Sequence, residues 1–412
     1  MYVKLEPDIG YRRRRNVEKK MATRILIYSH SFAPRIGGVE TVVMSIAAGL
    51  SHKIGTKGPA SLHVTVVTPT PCEGFSDADV PFEIVRLPSL GQLIRLIRAS
   101  DIVHLAGPCF VPLLIGLIVG KPVVVEHYGF QTICPNGQLL HEPSGKPCPG
   151  HFMARRYREC FRCNAKAGLL HSLMMCLTTF PRRVLCKLVK SNIMPTAWLG
   201  TLLQLPRSTT VHLAVQPRES DLDCAVFPSH STFAFVGRLV STKGVQTLLE
   251  AARQLSSDGF SYCIKVIGEG PDREALQKQA AALGLNGSFQ WLGYVAADRM
   301  EAHLAGAATV IMPSVAGEVF GMVAAENMAR GKLVIASDIG AMREVIGDTG
   351  LWFTPGDSAA LARCMREVLR DSTLASRLGR KAQARAAREF APIQMLIKHI
   401  DIYQGVLGQV AP

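Results

Sequence analysis

Two glutamates with seven residues between them, Glu318 and Glu326, are the first candidates for chemistry. They lie in TVIMPSVAGEVFGMVAAENMARGKLVIASD, residues 309–338, where two apolar runs, Val310–Met312 and Leu333–Ala336, predict buried strands. Between the runs, Pro313–Gly321 reads as a polar loop of small residues and Met322–Arg330 as a helix. A strand, a Gly-bearing loop and a helix start form a cradle for an anion. The first-turn N–H groups have no internal partner, and the helix dipole adds partial positive charge there. Glu318 falls in the loop and Glu326 about one turn into the helix, so both can face one cleft. Carboxylates beside an anion cradle make chemical sense if they take hydroxyls of a sugar or ribose while the backbone takes phosphates.

Arg238 and Lys243, in GRLVSTKG, are five residues apart at the end of a predicted strand. Such a pair suits a diphosphate, with Arg forking onto oxygens and Lys acting as a point charge; two exposed surface cations are the alternative. Gly37 and Gly38 sit at another loop-to-helix junction, where glycine lets a ligand close to the backbone. Gly268-Glu269-Gly270 follows a strand and resembles half a dinucleotide fingerprint. Arg273 occupies the place of the third glycine and no acid ends a suitable next strand, which excludes a dehydrogenase. Gly268 then marks a tight turn whose backbone approaches the ligand. His127 ends a buried run and is flanked by Tyr128 and Gly129; it can hydrogen-bond a sugar or serve structure alone, and His104 poses the same choice. Cys134, Cys148, Cys160 and Cys163 are spaced as two single thiols and a Cys-x-x-Cys pair. They are either ligands of a structural metal, with His141 and His151 as spare ligands, or four free thiols.

These residues require an α/β scaffold to position them. Strands are expected at Arg24–Tyr28, Leu62–Thr68, Phe82–Leu87, Asp101–Leu105, Pro122–Glu126 and Ser191–Pro195, and a second series begins at Thr232. Helical stretches separate them, which implies right-handed crossovers and parallel sheets, with ligands gathered at the carboxyl ends of the strands. Residues 1–20 read as a basic extension that can lack fixed structure, with Met21 as a possible start. Residues 21–216 read as a first domain with a Cys-bearing insertion at 131–167, 217–231 as a linker, 232–391 as a second domain, and 392–412 as a final helix. Gly168–Lys190 looks amphipathic, divided by Pro181.

The 412 residues carry 46 Lys and Arg against 32 Asp and Glu, a net +14. Two windows hold most of the excess. Residues 1–20 have seven cations against three acids, and residues 151–190 have nine against Glu159 alone. With no recognisable nucleic-acid motif, an anionic lipid surface against residues 151–190 is favoured over nucleic acid, and a solvated basic face is the alternative. No secretory signal is apparent and the longest apolar run, Phe110–Gly120, is too short to span a bilayer. Eleven cysteines in such a chain argue for reduced thiols in a cytoplasm, with attachment to the inner face of the cell membrane as an extension of the lipid reading.

FVGRLVSTKGVQTLLEA, VIGEGPDREAL, WLGYV and PSVAGEVFGMVAAENMARGKLVIASDIGAMREVI together resemble glycosyltransferase family 4, retaining enzymes of the GT-B fold. The specific part is about residues 230–365. PRIGGVE and the strand ending at His127 match more loosely. The resemblance implies two Rossmann-like domains facing across a cleft, with the last helix crossing back to the first domain. It implies a UDP-, GDP- or ADP-sugar donor, a glycan or lipid-linked acceptor, and no cofactor required for catalysis. Arg238 and Lys243 would hold the diphosphate, Glu318 the donor-sugar hydroxyls and Glu326 the ribose. The backbone of Phe320, Gly321, Met322 and Val323 would face sugar and phosphate. Gly268 and the loop Leu292–Tyr294 would lie near the nucleoside. Gly37 and Gly38 would approach the diphosphate or acceptor, and His127 the transferred sugar. A GT-B nucleotide-sugar epimerase and a non-catalytic sugar-nucleotide sensor or scaffold are the rival readings.

Overall fold

The computed structural model describes residues 22–52, 62–165, 168–216 and 229–408. The basic extension, residues 1–20, and most of the expected linker lie outside these. Among the described residues, nine strands precede residue 211: β1 (Thr23–Ser29), β2 (Leu62–Thr68), β3 (Glu83–Arg86), β4 (Ile102–Ala106), β5 (Val123–Glu126), β6 (Leu140–His141), β7 (Lys146–Pro147), β8 (Ser191–Met194) and β9 (Ser208–Thr210). Seven of them form one parallel sheet in the order β3-β2-β1-β4-β5-β8-β9, while β6 and β7 pair antiparallel by themselves. The second sheet has the order β12-β11-β10-β13-β14-β15 and is also parallel. Its strands are β10 (Ser229–Val236), β11 (Cys263–Ile267), β12 (Phe289–Gly293), β13 (Ala307–Met312), β14 (Leu333–Ser337) and β15 (Leu351–Phe353).

The strands form where the sequence is continuously apolar. All residues of β13 and β14 are buried, as expected of a sheet covered on both faces by helices. The crossover helices α1 (Gly38–Ser51), α2 (Leu90–Ala99) and α3 (Phe110–Ile118) serve the first sheet. On α1, Val42, Val43, Ile46, Ala47 and Leu50 recur at helical spacing and are buried, each large side chain contributing about 1.5–3 kcal/mol by leaving water. Then come α4 (Tyr157–Cys163), α5 (Leu169–Cys186) and α6 (Ala197–Leu203), followed by α7 (Val245–Ser257), α8 (Arg273–Ala282), α9 (Met300–Leu304), α10 (Met322–Ala329), α11 (Gly340–Ile346), α12 (Ser358–Arg370), α13 (Leu374–Glu389) and α14 (Pro392–Val406).

Three details differ from the sequence expectation. Helix α5 runs unbroken through the exposed Pro181, which leaves the Leu177 carbonyl without its intrahelical donor but does not end the helix. Strand β10 begins at Ser229, inside the stretch expected to be linker. Strand β9, three polar residues long, was not expected at all.

Helix α14 returns to the first sheet, as the GT-B resemblance implies. Leu396 packs over Gly49 of α1, where a Cβ would lie 2.4 Å from its Cδ1. His399 and Tyr403 enter a fully buried polar cluster with His104 of β4 and Glu126 of β5. His399 Nδ1 is 2.8 Å from the Met395 carbonyl and its Nε2 3.1 Å from Glu126 Oε2; His104 Nε2 lies 3.2 Å from the same oxygen, and Tyr403 Oη 2.7 Å from His104 Nδ1. A carbonyl only accepts, so His399 Nδ1 carries a proton. Its Nε2 faces an anionic oxygen and must carry one too, making His399 an imidazolium paired with the Glu126 carboxylate. That pairing outweighs burial and raises the His399 pKa; burial is likewise the largest influence on Glu126, yet His399 and His104 hold its pKa well below the usual carboxylate range. Burial dominates at His104, lowering its pKa and leaving it neutral.

Candidate active site

In each sheet the strand order reverses once, between β1 and β4 and between β10 and β13. The loops leaving such a pair of strands diverge and open a crevice at their carboxyl ends. Arg238 and Lys243 follow β10, while Glu318 and Gly321 follow β13, so the second sheet's crevice gathers the chemistry-bearing residues of residues 309–338 and GRLVSTKG. The two loops are tied together: Val315 N donates to the Thr242 carbonyl at 2.8 Å, and Gly244, at φ +65°, would put a Cβ 2.0 Å from the Pro313 oxygen.

Lys243 Nζ is ion-paired with Glu318 Oε1, which also accepts from Ser314 Oγ at 2.9 Å. The sequence reading gave these two residues separate partners, a diphosphate and a sugar. The structure pairs them with each other, the loop after β10 carrying Lys243 to the loop after β13 that carries Glu318. The Glu318 side chain is 9% exposed and that of Lys243 27%, so the pair sits at the mouth of the crevice. Glu326, on the first turns of α10, is more open; its Oε2 is 4.0 Å from Arg330 Nη1, and Arg330 Nε donates to Glu301 Oε1 at 2.7 Å. Arg238 is exposed on the loop after β10.

Helix α10 starts at Gly321, with no side-chain cap and no acid in its first turn. Gly321 is left-handed, φ +92°, and a Cβ there would meet Met342 Sδ at 2.4 Å. The backbone of Gly321, Met322 and Val323 therefore offers N–H groups at a dipole's positive end, while the Phe320 side chain turns inward against Phe390, ring centroids 5.3 Å apart. Gly268, at φ +137°, would place a Cβ 1.9 Å from the Gly237 oxygen. The neighbouring loop thus accounts for glycine at this position, whereas the sequence reading ascribed it to a ligand. Leu292 is half-buried and Tyr294 is 57% exposed.

In the first domain α1 also begins without a side-chain cap, at Gly37. A Cβ on Gly38 would lie 3.6 Å from Met322 Cγ, so the uncapped starts of α1 and α10 meet across the domains. His127 is fully buried directly after β5. Its Nε2 is 2.9 Å from Asn192 Oδ1, and Asn192 Nδ2 donates to the carbonyls of Cys186 (3.0 Å) and Pro206 (2.8 Å). Those two bonds fix the amide, so Oδ1 accepts from His127 Nε2–H and Nδ1 keeps its lone pair, buried without a protein partner. Burial holds the His127 pKa at about 4, so the ring is neutral. His104, its rival from the sequence, belongs to the α14 cluster.

Sequence reasoning missed Asn192 and Glu344. Glu344, on α11, accepts from Ala197 N (2.8 Å) and Trp198 N (2.9 Å) at the start of α6 and lies 3.1 Å from His212 Nε2. Thr196 Oγ1 donates to the Val319 carbonyl at 3.0 Å, beside the Glu318 loop. These bonds join the two domains, and no local pattern announces them.

The four cysteines of the insertion converge on one pocket with His151 and Asn164. Their sulfurs do not form a closed set. Among the described residues, the one group of three or more metal-type ligand atoms mutually within 4.8 Å is His104, Glu126 and His399, where the proton on His399 accounts for the contact.

Two doubly wound parallel sheets, meeting at the ends of their switch-point strands and strapped by a returning last helix, define the GT-B fold. Residues 225–385 match the family described as "Glycosyl transferases group 1". The chain is 30% identical over 182 residues to 2-deoxystreptamine glucosyltransferase of Streptomyces kanamyceticus, covering 42% of this chain and 46% of that protein. It is 36% identical over 149 residues to phosphatidyl-myo-inositol mannosyltransferase of Mycobacterium leprae, 35% of this chain and 39% of that one. The matches thus span less than half the length of these curated relatives. Among solved structures, Anabaena Alr3699/HepE in complex with UDP superposes with a TM-score of 0.67 at 17% identity, over 93% of this chain and 100% of that one.

Proposed function

We propose that this chain is a nucleotide-sugar-dependent glycosyltransferase of the hexosyltransferase type, acting on a glycan or lipid-linked acceptor in cell-surface polysaccharide or glycolipid synthesis. The observation that carries the reading is the crevice at the β10/β13 switch point, where an uncapped helix start at Gly321 stands beside Lys243 and Glu318 and opposite the start of α1. Residues 232–391 bind the donor, residues 21–216 the acceptor, and residues 217–231 join them. The UDP held by the solved Anabaena protein supports placing uridine donors first, ahead of GDP- and ADP-sugars.

As the nucleoside diphosphate departs, negative charge builds on its phosphates. Arg238, Lys243 and the α10 N–H groups stabilise that charge where it develops, so transfer requires no metal. A donor displaces Glu318 from Lys243, freeing the carboxylate for sugar hydroxyls and the ammonium for phosphate. Glu326 takes the ribose, with Gly268, Leu292 and Tyr294 beside the nucleoside; Gly37 and Gly38 approach the diphosphate from the other domain. His127 Nδ1 accepts from a hydroxyl of the transferred sugar, which requires donor binding to uncover this buried atom. Transfer proceeds with retention, the acceptor attacking on the leaving-group face and the departing phosphate taking its proton.

The acceptor half also carries a membrane-facing surface. Leu169, Leu170, Met174, Leu177 and Phe180 stand 57–81% exposed along α5, beside the basic residues of 151–190. No described helix is long and apolar enough to cross a membrane. An apolar stripe with flanking cations suits a helix lying in an anionic interface, which supports a position on the inner face of the cell membrane.

The test is incubation with UDP-, GDP- and ADP-sugars, with and without lipid-linked acceptors, measuring nucleoside diphosphate release. Binding without release under every condition would favour the sensor, and transfer abolished by a chelator and restored by magnesium or manganese but not by zinc would overturn the metal-free chemistry.

A further inference from the structure

The insertion holds a site that glycosyl transfer does not use. Cys134 follows the turn after β5, Cys148 follows β7, and Cys160 and Cys163 lie one turn apart on α4. With His151 and Asn164 among their neighbours, the four cysteines line a pocket of about 10 Å³, close to the space one water-sized particle occupies. Little else organises this segment. Its described residues contain two strands of two residues and one helix of seven.

We propose that this pocket is a structural zinc site in which Cys134, Cys148, Cys160 and Cys163 bind one ion as thiolates. The Cys-x-x-Cys pair on α4 supplies two ligands from one side, and the single thiols before and after the β6–β7 hairpin supply two from the other. His141, a spare ligand by sequence, is engaged at both ring nitrogens, 2.8 Å from Ser144 Oγ and 3.2 Å from Glu159 Oε2, whereas His151 lines the pocket with its Nδ1 buried and unpartnered and stands beside the four thiols as a spare donor.

A tetrahedral site with Zn–S bonds of about 2.3 Å needs sulfurs about 3.8 Å apart. No three of these sulfurs lie within 4.8 Å of one another here, so binding draws the loop inward. Zinc then displaces four protons, and the centre carries a net charge of −2. Arg155, Arg156, Arg158 and Arg162, all exposed around α4, provide the surrounding positive charge. Part of the basic window thus serves the metal centre.

Full-length protein prepared in reductant without a chelator should contain about one zinc per chain by elemental analysis, and a thiol-blocking mercurial should release it. Cys160→Ser and Cys163→Ser should lower the content below about a tenth of an ion per chain, whereas Cys72→Ser and Cys364→Ser should leave it unchanged. Should the first two variants fail to fold, wild-type protein decides. Stripping the metal should speed protease cleavage within residues 131–167 by about tenfold, and zinc alone should reverse it. Wild-type protein purified without zinc, or zinc content indifferent to Cys163→Ser, would overturn the proposal.

Discussion

Replacing His399 by leucine would leave the Glu126 carboxylate buried beside a neutral histidine and a phenol, its counter-charge gone. Both His399 and Glu126 are 0% exposed, so water does not reach the vacated contact. Removing one partner of a buried ion pair costs about 3–5 kcal/mol. For a domain of about 200 residues, each kcal/mol shifts Tm by about 2–4 °C, so His399→Leu should lower the melting temperature by about 10 °C. Glu126→Gln added to His399→Leu removes the stranded charge and should recover at least half of that loss. Calorimetry of the ligand-free chain is the assay, repeated across pH. The folded-state pKa of His399 is raised, so its contribution is complete below the unfolded value of 6.5 and fades as pH rises through the folded value. That of Glu126 is lowered, so its contribution is complete above its unfolded value of 4.5 and is lost as pH falls through the folded one. His104 has a lowered folded pKa and costs stability as pH falls below its unfolded value of 6.5, so wild-type stability from this cluster should peak near that value, with an alkaline decline that His399→Leu lacks. A single variant melting within about 2 °C of wild type, or a double variant no better than the single, would refute the charged assignment.

Other outcomes test the transfer site. Glu318→Ala should reduce transfer far more than nucleotide binding, and Glu326→Ala should weaken nucleotide binding as well; equal, mild effects in kinetics and calorimetric titration would contradict their separate roles. Lys243→Ala removes a charge-assisted contact of about 1.5–3 kcal/mol and should lower kcat/KM by about ten- to hundredfold, with a smaller loss at high salt. Gly268→Ala should destabilise the second domain by about 1–3 kcal/mol in urea unfolding, because its Cβ overlaps the Gly237 carbonyl at an unfavourable φ. Leu177→Asp with Phe180→Asp should abolish flotation with anionic liposomes; unchanged flotation would remove α5 from the membrane reading.

The parallel strands were legible because strands buried on both faces must be apolar along most of their length, as the VVV of PVVVE and the LVIA of KLVIASD are. The same logic hid β9, whose Ser-Thr-Thr at the sheet edge carries no such pattern. Pro181 misled because a proline removes one intrahelical hydrogen bond, and the remaining turns of α5 carry the helix through it. Within the site, Glu318, Glu326 and Lys243 could be found from local loop and helix chemistry. Their direct ion pair could not, since it joins positions 75 residues apart. Glu344 reads in sequence as one more surface charge on an amphipathic helix, and its partners lie 146 and 147 positions away. His127 was recognised by position, but the state of its ring depends on Asn192, whose amide is fixed by two carbonyls on other segments.

The return of α14 also bears on how this architecture is made and exchanged. His104 and Glu126 lie early in the chain, and their partners on α14 follow some 270–300 residues later. During synthesis the first sheet emerges with a carboxylate and an imidazole awaiting an element that the ribosome has yet to build, so the amino-terminal half cannot reach its final packing alone. The same dependence governs engineering. A chimera that exchanges the acceptor half with another enzyme must carry residues 392–406 with it, because by packing those residues belong to the first domain although the gene places them at the end of the second.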